Sequence, residues 1–334
     1  MLGLSKNNLG NLRLDVKIHP LVSFIGIILF LTIGILLSTR NLDIAKDDHN
    51  YLSYFYYRKF EEADSFLIYL IEEPLWRLYT TSIVAVFKPE NALRFTLFIS
   101  TLMFLFSVNR VNVRMFIFVA LIFILHSHFA TQMYFNQIRQ GLALSVFLFC
   151  TIYNRKPLLG AVIATLFHTS FIFPLIIIFL ISKVNSVKWI IIYSIIGIGI
   201  LYLSVNVLGQ LDIGRRTNSY SFESKLSVNF YISIFLRYIP LLFLMKFYGD
   251  KGTSSFWYKL SLSSFIIIVP FTLFYLAAGR LMYYVSVFFL LMILEQSRSL
   301  GGKLGLLYYI LFLIVDLFLF ESTVISDWGL IISS

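Results

Sequence analysis

Runs of roughly twenty apolar residues recur along almost the whole chain and restrict it more than any other feature. They lie at about 21–38, 66–88, 92–107, 115–134, 138–153, 157–182, 189–208, 229–248, 257–278, 281–296 and 304–320. A helix needs about 20 such residues to cross the hydrocarbon core of a bilayer. A backbone in lipid must satisfy its own hydrogen bonds, which leaves helices or closed barrels. Runs of this length predict an all-α fold: a polytopic transmembrane helical bundle of about 9–11 spans plus re-entrant or broken segments, with no soluble domain. The whole chain, 1–334, reads as a single integral membrane domain.

The charge content agrees. Only 13% of residues are charged, against about 25% in soluble domains. The net charge of +10 does not imply nucleic acid, because the basic residues sit in short loops between apolar runs, where they set topology. Cys150 is the single cysteine, which excludes an intrachain disulfide and a cysteine-cluster metal site.

Residues 1–20 are basic and polar, with Lys6, Arg13 and Lys17, and no small-residue cleavage site follows the run after them. That run reads as a signal anchor with its basic end in the cytoplasm. Arg110/Arg114, Arg155/Lys156, Lys183/Lys188, Lys246/Lys251 and Arg298/Lys303 also favour the cytoplasm. Satisfying all of them requires segment 66–88 to dip into the membrane and 157–182 to form a short hairpin. If both cross once instead, four basic residues move outside. Glu72-Glu73-Pro74 interrupts the first of these segments and His168 to Pro174 the second. Broken helices at membrane depth occur where they line a cavity, so the first arrangement is preferred. It places two polar connections, 39–65 and 209–229, outside as periplasmic loops, together with Arg139, His168 and Arg280.

Ionisable groups in apolar runs are costly and mark working sites. Arg139-Gln140 opens an apolar helix after Asn136 and Gln137. Arginine offers a rigid fork of donors suited to phosphate, and free N–H groups at a helix start add to anion affinity. The plainer reading is an interfacial anchor that snorkels to water, but an anchor needs no neighbouring amides. His168 stands between Phe167 and Thr169-Ser170 as a candidate proton acceptor; a structural histidine is the usual alternative. The loop from Arg40 carries Asp47, Asp48, Tyr51, Tyr54, Tyr56 and Tyr57. Rings to stack on and acids to bind hydroxyls suit a sugar surface, though an aromatic belt also accounts for the tyrosines. Arg280 and Arg77 are further cation candidates, with a Glu73–Arg77 pair one helical turn apart as the bland account of Arg77. His126-Ser-His128 lacks a carboxylate neighbour and a zinc-like spacing, so no metal and no cofactor is expected.

In order, these residues resemble the EpsG family of bacterial polysaccharide polymerases, the Wzy type. The most specific part is Asn136-x-x-Arg139-Gln140-x-x-Ala143, then Arg155-Lys156, then Phe167-His168-Thr169-Ser170. Asp47-x-x-x-Tyr51, Glu73-Pro74-Leu75 and Arg280-x-x-Tyr283-Tyr284 add weaker matches; Trp76 departs from the pattern, since such proteins often have glycine soon after the proline. The resemblance implies a glycosyltransferase at the outer face of a bacterial inner membrane. It would join oligosaccharide repeat units carried on undecaprenyl diphosphate into O-antigen or another surface polysaccharide, without metal, and with a chain-length regulator as a possible partner. On this reading Arg139 and Arg280 hold the departing diphosphate, and Asp47 or His168 accepts the acceptor proton. Gln140, Tyr51, Asn136, Tyr284 and Arg77 bind substrate.

Two rivals share the hydropathy. A flippase for lipid-linked sugars would also need cations and a cavity, but transporters often repeat their interruptions in two halves; here both fall before residue 180. A membrane acyltransferase of surface glycans would need a strong base near the cytoplasm, and none is evident. The lack of a glycine-rich phosphate loop argues against a soluble nucleotide-sugar donor.

Overall fold

A computed structural model describes residues 20–42, 47–57, 73–126, 133–134, 136–184, 186–210, 228–274 and 281–315. Among these the regular structure is entirely helical, as the apolar runs demand. The chain separates into two compact units, one built mainly from residues 12–175 and the other mainly from 176–312.

The first unit begins with α1 (Pro20–Thr39), α2 (Asp48–Tyr57), α3 (Pro74–Ile83) and α4 (Pro89–Val111). It continues with α5 (Phe116–Leu125), α6 (Ile138–Ile152) and α7 (Pro157–Phe167). The long helix α4 is central: α1 and α6 pack along it, α2 rests on it, and α6 pairs with α7. Its ends follow from sequence. Pro89 takes the first turn, where a missing N–H costs nothing. Glu90 in that turn and Arg110 in the last both complement the helix dipole. Thr96, Ser100 and Ser107 are buried on it. Thr96 and Ser100 return their hydroxyls to carbonyls of their own helix. Ser145 of α6 donates to the Ser100 carbonyl at 2.8 Å and so ties the two helices together.

The turn from α6 to α7 is sharp. Arg155 adopts left-handed backbone, φ 55°, and the Lys156 N–H closes back on the Cys150 carbonyl at 3.1 Å. The two helices then approach so closely that a Cβ on Gly160 would lie 2.8 Å from Cβ of Cys150 and 3.1 Å from the Phe147 carbonyl oxygen. Only glycine fits such an approach without displacement.

Two apolar runs do not form single helices. Run 115–134 is helical in α5 only as far as Leu125, and His126 is extended. Run 157–182 breaks at His168 (φ −152°, ψ 117°), passes through a 3₁₀ turn at Thr169–Phe171, and resumes as α8 (Ile172–Lys183). The break sits where the sequence interposes His-Thr-Ser in an apolar run. The division between the two units falls within α8.

The second unit contains α9 (Val187–Gln210), α10 (Val228–Tyr248), α11 (Phe256–Phe274), α12 (Met282–Glu295) and α13 (Leu300–Val315). Helix α12 is buried from Met282 to Leu294 on every face, as expected of a core helix apolar all round. The ring of Tyr238 of α10 packs at a tilt on Phe289, centroids 4.5 Å apart, and its hydroxyl lies 2.7 Å from that of Ser286. At the end of α12, Glu295 receives Lys251 at 2.8 Å and the Ser255 hydroxyl.

By length and composition, α4 and α10 are the helices, among the described residues, long and apolar enough to cross a membrane.

Candidate functional site

Three short segments of the first unit meet around one carboxylate. Glu73 stands just before α3 with left-handed backbone, φ 60° and ψ 65°. A residue preceding proline is already biased away from right-handed helix. For an L side chain with a Cβ the left-handed region costs on the order of 1–3 kcal/mol and persists only where surroundings impose it. Here the surroundings are Arg139 and His168. An Arg139 Nη1 donates to Oε2 of Glu73. His168 Nδ1 lies 2.5 Å from Oε1, and the Thr169 N–H donates to the same oxygen at 3.2 Å. The carboxylate side chain is 4% exposed, whereas those of Arg139 and His168 are 18% and 23% exposed. Two solvent-reachable cationic or basic groups therefore sit over a buried acid.

Each partner is held from behind. Arg139 is in the first turn of α6, a turn clamped by Gly141, whose Cβ position is 2.8 Å from the Met133 carbonyl. The Arg139 guanidinium faces the rings of Tyr54 at 5.2 Å and Tyr51 at 5.8 Å, cation–π contacts worth about 0.5–2 kcal/mol each. Both tyrosines belong to α2, and Trp76 of α3 packs edge-on against both and against Phe55. Tyr79 fixes α3: its hydroxyl is 2.8 Å from that of Thr96 on α4, and its ring meets Phe167, the residue before His168.

The electrostatics follow from this geometry. Helix α3 has ten residues, too few to cross a bilayer, and Glu73 lies outside it. Burial pushes the Glu73 carboxyl up, but His168 and Arg139 outweigh it and hold it at about 2. An ionised carboxylate can only accept. The His168 Nδ1 must then carry the hydrogen, which leaves Nε2 as the basic atom of the neutral ring.

The candidates read from sequence fall into three groups. Arg139, His168 and Tyr51 are brought together. Asn136 and Gln140 lie beside Arg139 at the start of α6, half-buried and buried respectively. Asp47 is half-buried one turn before Tyr51, its carbonyl accepting the Tyr51 N–H at 3.0 Å. Its neighbour Asp48 is different: it is fully buried and paired with Arg40, one contact being 2.7 Å. The Asp47-Asp48 doublet is thus one half-buried acid and one buried structural acid. The two Glu73 oxygens face Arg139 and His168, and the Arg77 backbone N–H donates to the Glu73 carbonyl at 3.1 Å. The i, i+4 rule holds for two residues on one helix, and Glu73 is in left-handed backbone ahead of α3. Tyr284 is buried in α12 of the second unit, and Arg280 and His128 lie outside the described residues.

Sequence reasoning counted Tyr54 among rings suited to sugars, but gave Glu73 only a pairing with Arg77 and a place in the family pattern, and gave Thr169 no role of its own. A signal for Glu73 exists. Between Phe66 and Leu175 the acids are Glu72, Glu73 and Glu90 alone, so an arginine and a histidine set in apolar runs there had few carboxylates to choose from.

The model of the EpsG family matches residues 23–331. The chain therefore belongs to the EpsG family, a family of Wzy-type polysaccharide polymerase-like proteins. The match includes the three segments that form the cluster. No curated protein and no solved structure matches the chain. Family membership and the apolar helices together support a membrane location and a role in polysaccharide biosynthesis.

Proposed function

We propose that the protein is a polymerase that joins oligosaccharide repeat units carried on undecaprenyl diphosphate, at the outer face of a bacterial inner membrane, as a multi-pass bundle with its active site facing outwards. The observation that carries this reading is the Glu73–Arg139–His168 cluster, with a phosphate-suited cation and an oriented base exposed side by side. A metal-free glycosyl transfer from a diphosphate needs both.

The acceptor sugar's hydroxyl gives its proton to His168 Nε2 as its oxygen forms a bond to the anomeric carbon of the donor. The bond from that carbon to the lipid diphosphate breaks, and the diphosphate leaves with the electron pair. Arg139 stabilises the charge that develops on it, the kind of interaction worth about 10²–10³ in rate. Tyr51 and Tyr54 supply ring faces for sugars, with Asn136 and Gln140 as hydrogen-bonding groups, and Asp47 is the nearby acid available to an acceptor hydroxyl. Arg280 is retained as a second diphosphate ligand, with Tyr284 and Arg77 as substrate-binding residues, on the sequence pattern alone. The sugars and the type of surface polysaccharide are open to any unit that carries such a leaving group.

The test is a gel of surface glycan from cells in which the chromosomal copy is replaced by Arg139→Ala or His168→Ala. The expected result is a single capped repeat unit with no long chains, at unchanged protein level in the membrane. Loss of all surface glycan would indicate a flippase instead. Chains of normal length lacking acyl groups would indicate an acyltransferase.

A further inference from the structure

The ion pair at the centre of the site raises a difficulty for the proposed chemistry. Arg139 is meant to receive a diphosphate, yet its guanidinium is already engaged by Glu73. A buried carboxylate left beside an incoming polyanion repels it, as like charges brought together do. Were Glu73 present only to neutralise Arg139, it would oppose substrate binding. Its other oxygen supplies a reason for its presence, since it holds His168 and the Thr169 N–H.

We infer that Glu73 is a positioning residue with two linked tasks: it occupies Arg139 until a lipid diphosphate displaces it, and it holds His168 with Nδ1–H towards itself so that Nε2 faces the acceptor. This rests on the reading of Arg139 as the diphosphate ligand. Three features favour exchange over a fixed structural pair. The two oxygens are divided, Oε2 to Arg139 and Oε1 to His168, so one contact can be given up while the other stays. The Arg139 side chain is 18% exposed, against 4% for Glu73, so an anion meets the arginine first. The rings of Tyr51 and Tyr54 also hold the guanidinium in place independently of Glu73.

The arrangement makes binding and turnover respond to Glu73 in opposite directions. Once diphosphate has taken Arg139, the carboxylate is left with His168 Nδ1–H as its partner, and a carboxylate so placed stabilises the imidazolium that forms when Nε2 takes the proton. The base is therefore enhanced only when a leaving group is in place.

The experiment uses the full chain in lipid nanodiscs, with geranylgeranyl diphosphate as the binding probe and polymer formed in cells as the measure of turnover. Glu73→Gln removes the competing charge but keeps the shape. It should bind the probe severalfold more tightly than wild type, while polymer falls steeply at equal membrane level. A residue that merely holds the fold together would lose both. Equal or weaker probe binding by Glu73→Gln, with Arg139→Ala still abolishing binding, overturns the inference and leaves the function intact. No probe binding by wild type, or binding unaffected by Arg139→Ala, overturns both. Should Glu73→Gln not accumulate, Glu73→Asp keeps the charge for folding but withdraws it by one methylene. It should show the same split in smaller measure, and weaker probe binding in that variant overturns the inference.

Discussion

His168 Nδ1 and Glu73 Oε1 lie 2.5 Å apart although 95 residues separate them in the chain. The contact joins the left-handed residue ahead of α3 to the break between α7 and α8, so both side chains leave backbone that is not in right-handed helical conformation.

That contact has a pH signature. The folded-state carboxyl of Glu73 is held at about 2, against an ordinary value of 4.5. A group whose pKa is lowered by folding adds stability that is complete above its unfolded value and is lost as the pH falls towards its folded one. Melting temperature in detergent should therefore fall as the pH is lowered from about 4.5 towards 2. Glu73→Gln should be less stable at neutral pH and flatter across this window. Parallel curves for the two proteins would mean that the carboxylate is not held as described.

Arg139→Lys is the informative conservative change. Lysine keeps the charge but lacks the planar fork that binds a diphosphate with two donors and stacks on Tyr51 and Tyr54. Polymer should fall by about 10²-fold or more, close to the loss in Arg139→Ala, because the missing interaction acts on the departing charge. Near-normal polymer in Arg139→Lys would show that charge alone suffices and that the fork and ring contacts are incidental.

Asp47 and Asp48 should separate cleanly. Asp48 and Arg40 have fully buried side chains. Arg94 of α4 donates to the Ser38 and Arg40 carbonyls at 2.8 and 2.9 Å, which fastens the end of α1 beside that pair. Removing one member of a buried pair costs about 3–5 kcal/mol, so Asp48→Ala should lower the amount of folded protein and its melting temperature. Asp47→Ala should leave stability within about 0.5 kcal/mol, as surface changes do. Any effect it has should appear in polymer yield.

The helical class of this chain was legible because it is written in local hydropathy, and so were two of the breaks, since Glu72-Glu73-Pro74 and His168-Thr169-Ser170 interrupt apolar runs visibly. Partner choice was not legible. Periodicity relates residues three and four apart, and by that rule Arg77 was the natural mate of Glu73. The left-handed turn that takes Glu73 off the helix has no signature in a Glu-Pro dipeptide beyond a bias. The burial of Asp48 was hidden in the same way. An Asp-Asp pair in a polar loop reads as solvated until Arg40, eight residues earlier, is seen to fold back onto it. Arg139 and His168 stood out because an isolated charge in an apolar stretch is costly. Reading that cost as a demand for a carboxylate would have led to Glu73.

The position of His168 depends on a contact far from it. It immediately follows α7, and α7 is set against α6 at Gly160, where a Cβ would meet Cys150 and the Phe147 carbonyl. The carbonyl belongs to the backbone of α6 and cannot rotate away. Gly160→Ala should therefore push α7 outwards and cost about 1–3 kcal/mol, as overpacking does; Gly160→Val should cost more. Because Arg139 is carried by α6 and His168 by the end of α7, the same displacement should part them at Glu73. Polymer in Gly160→Ala should fall further than the loss of folded protein explains, measured as glycan per membrane-resident molecule. The double variant Gly160→Ala, Cys150→Ala should not recover it, since alanine keeps the Cβ at position 150 and the Phe147 carbonyl stays in place. Full polymer per molecule in Gly160→Ala would show that the α6–α7 spacing does not set the distance between the two residues.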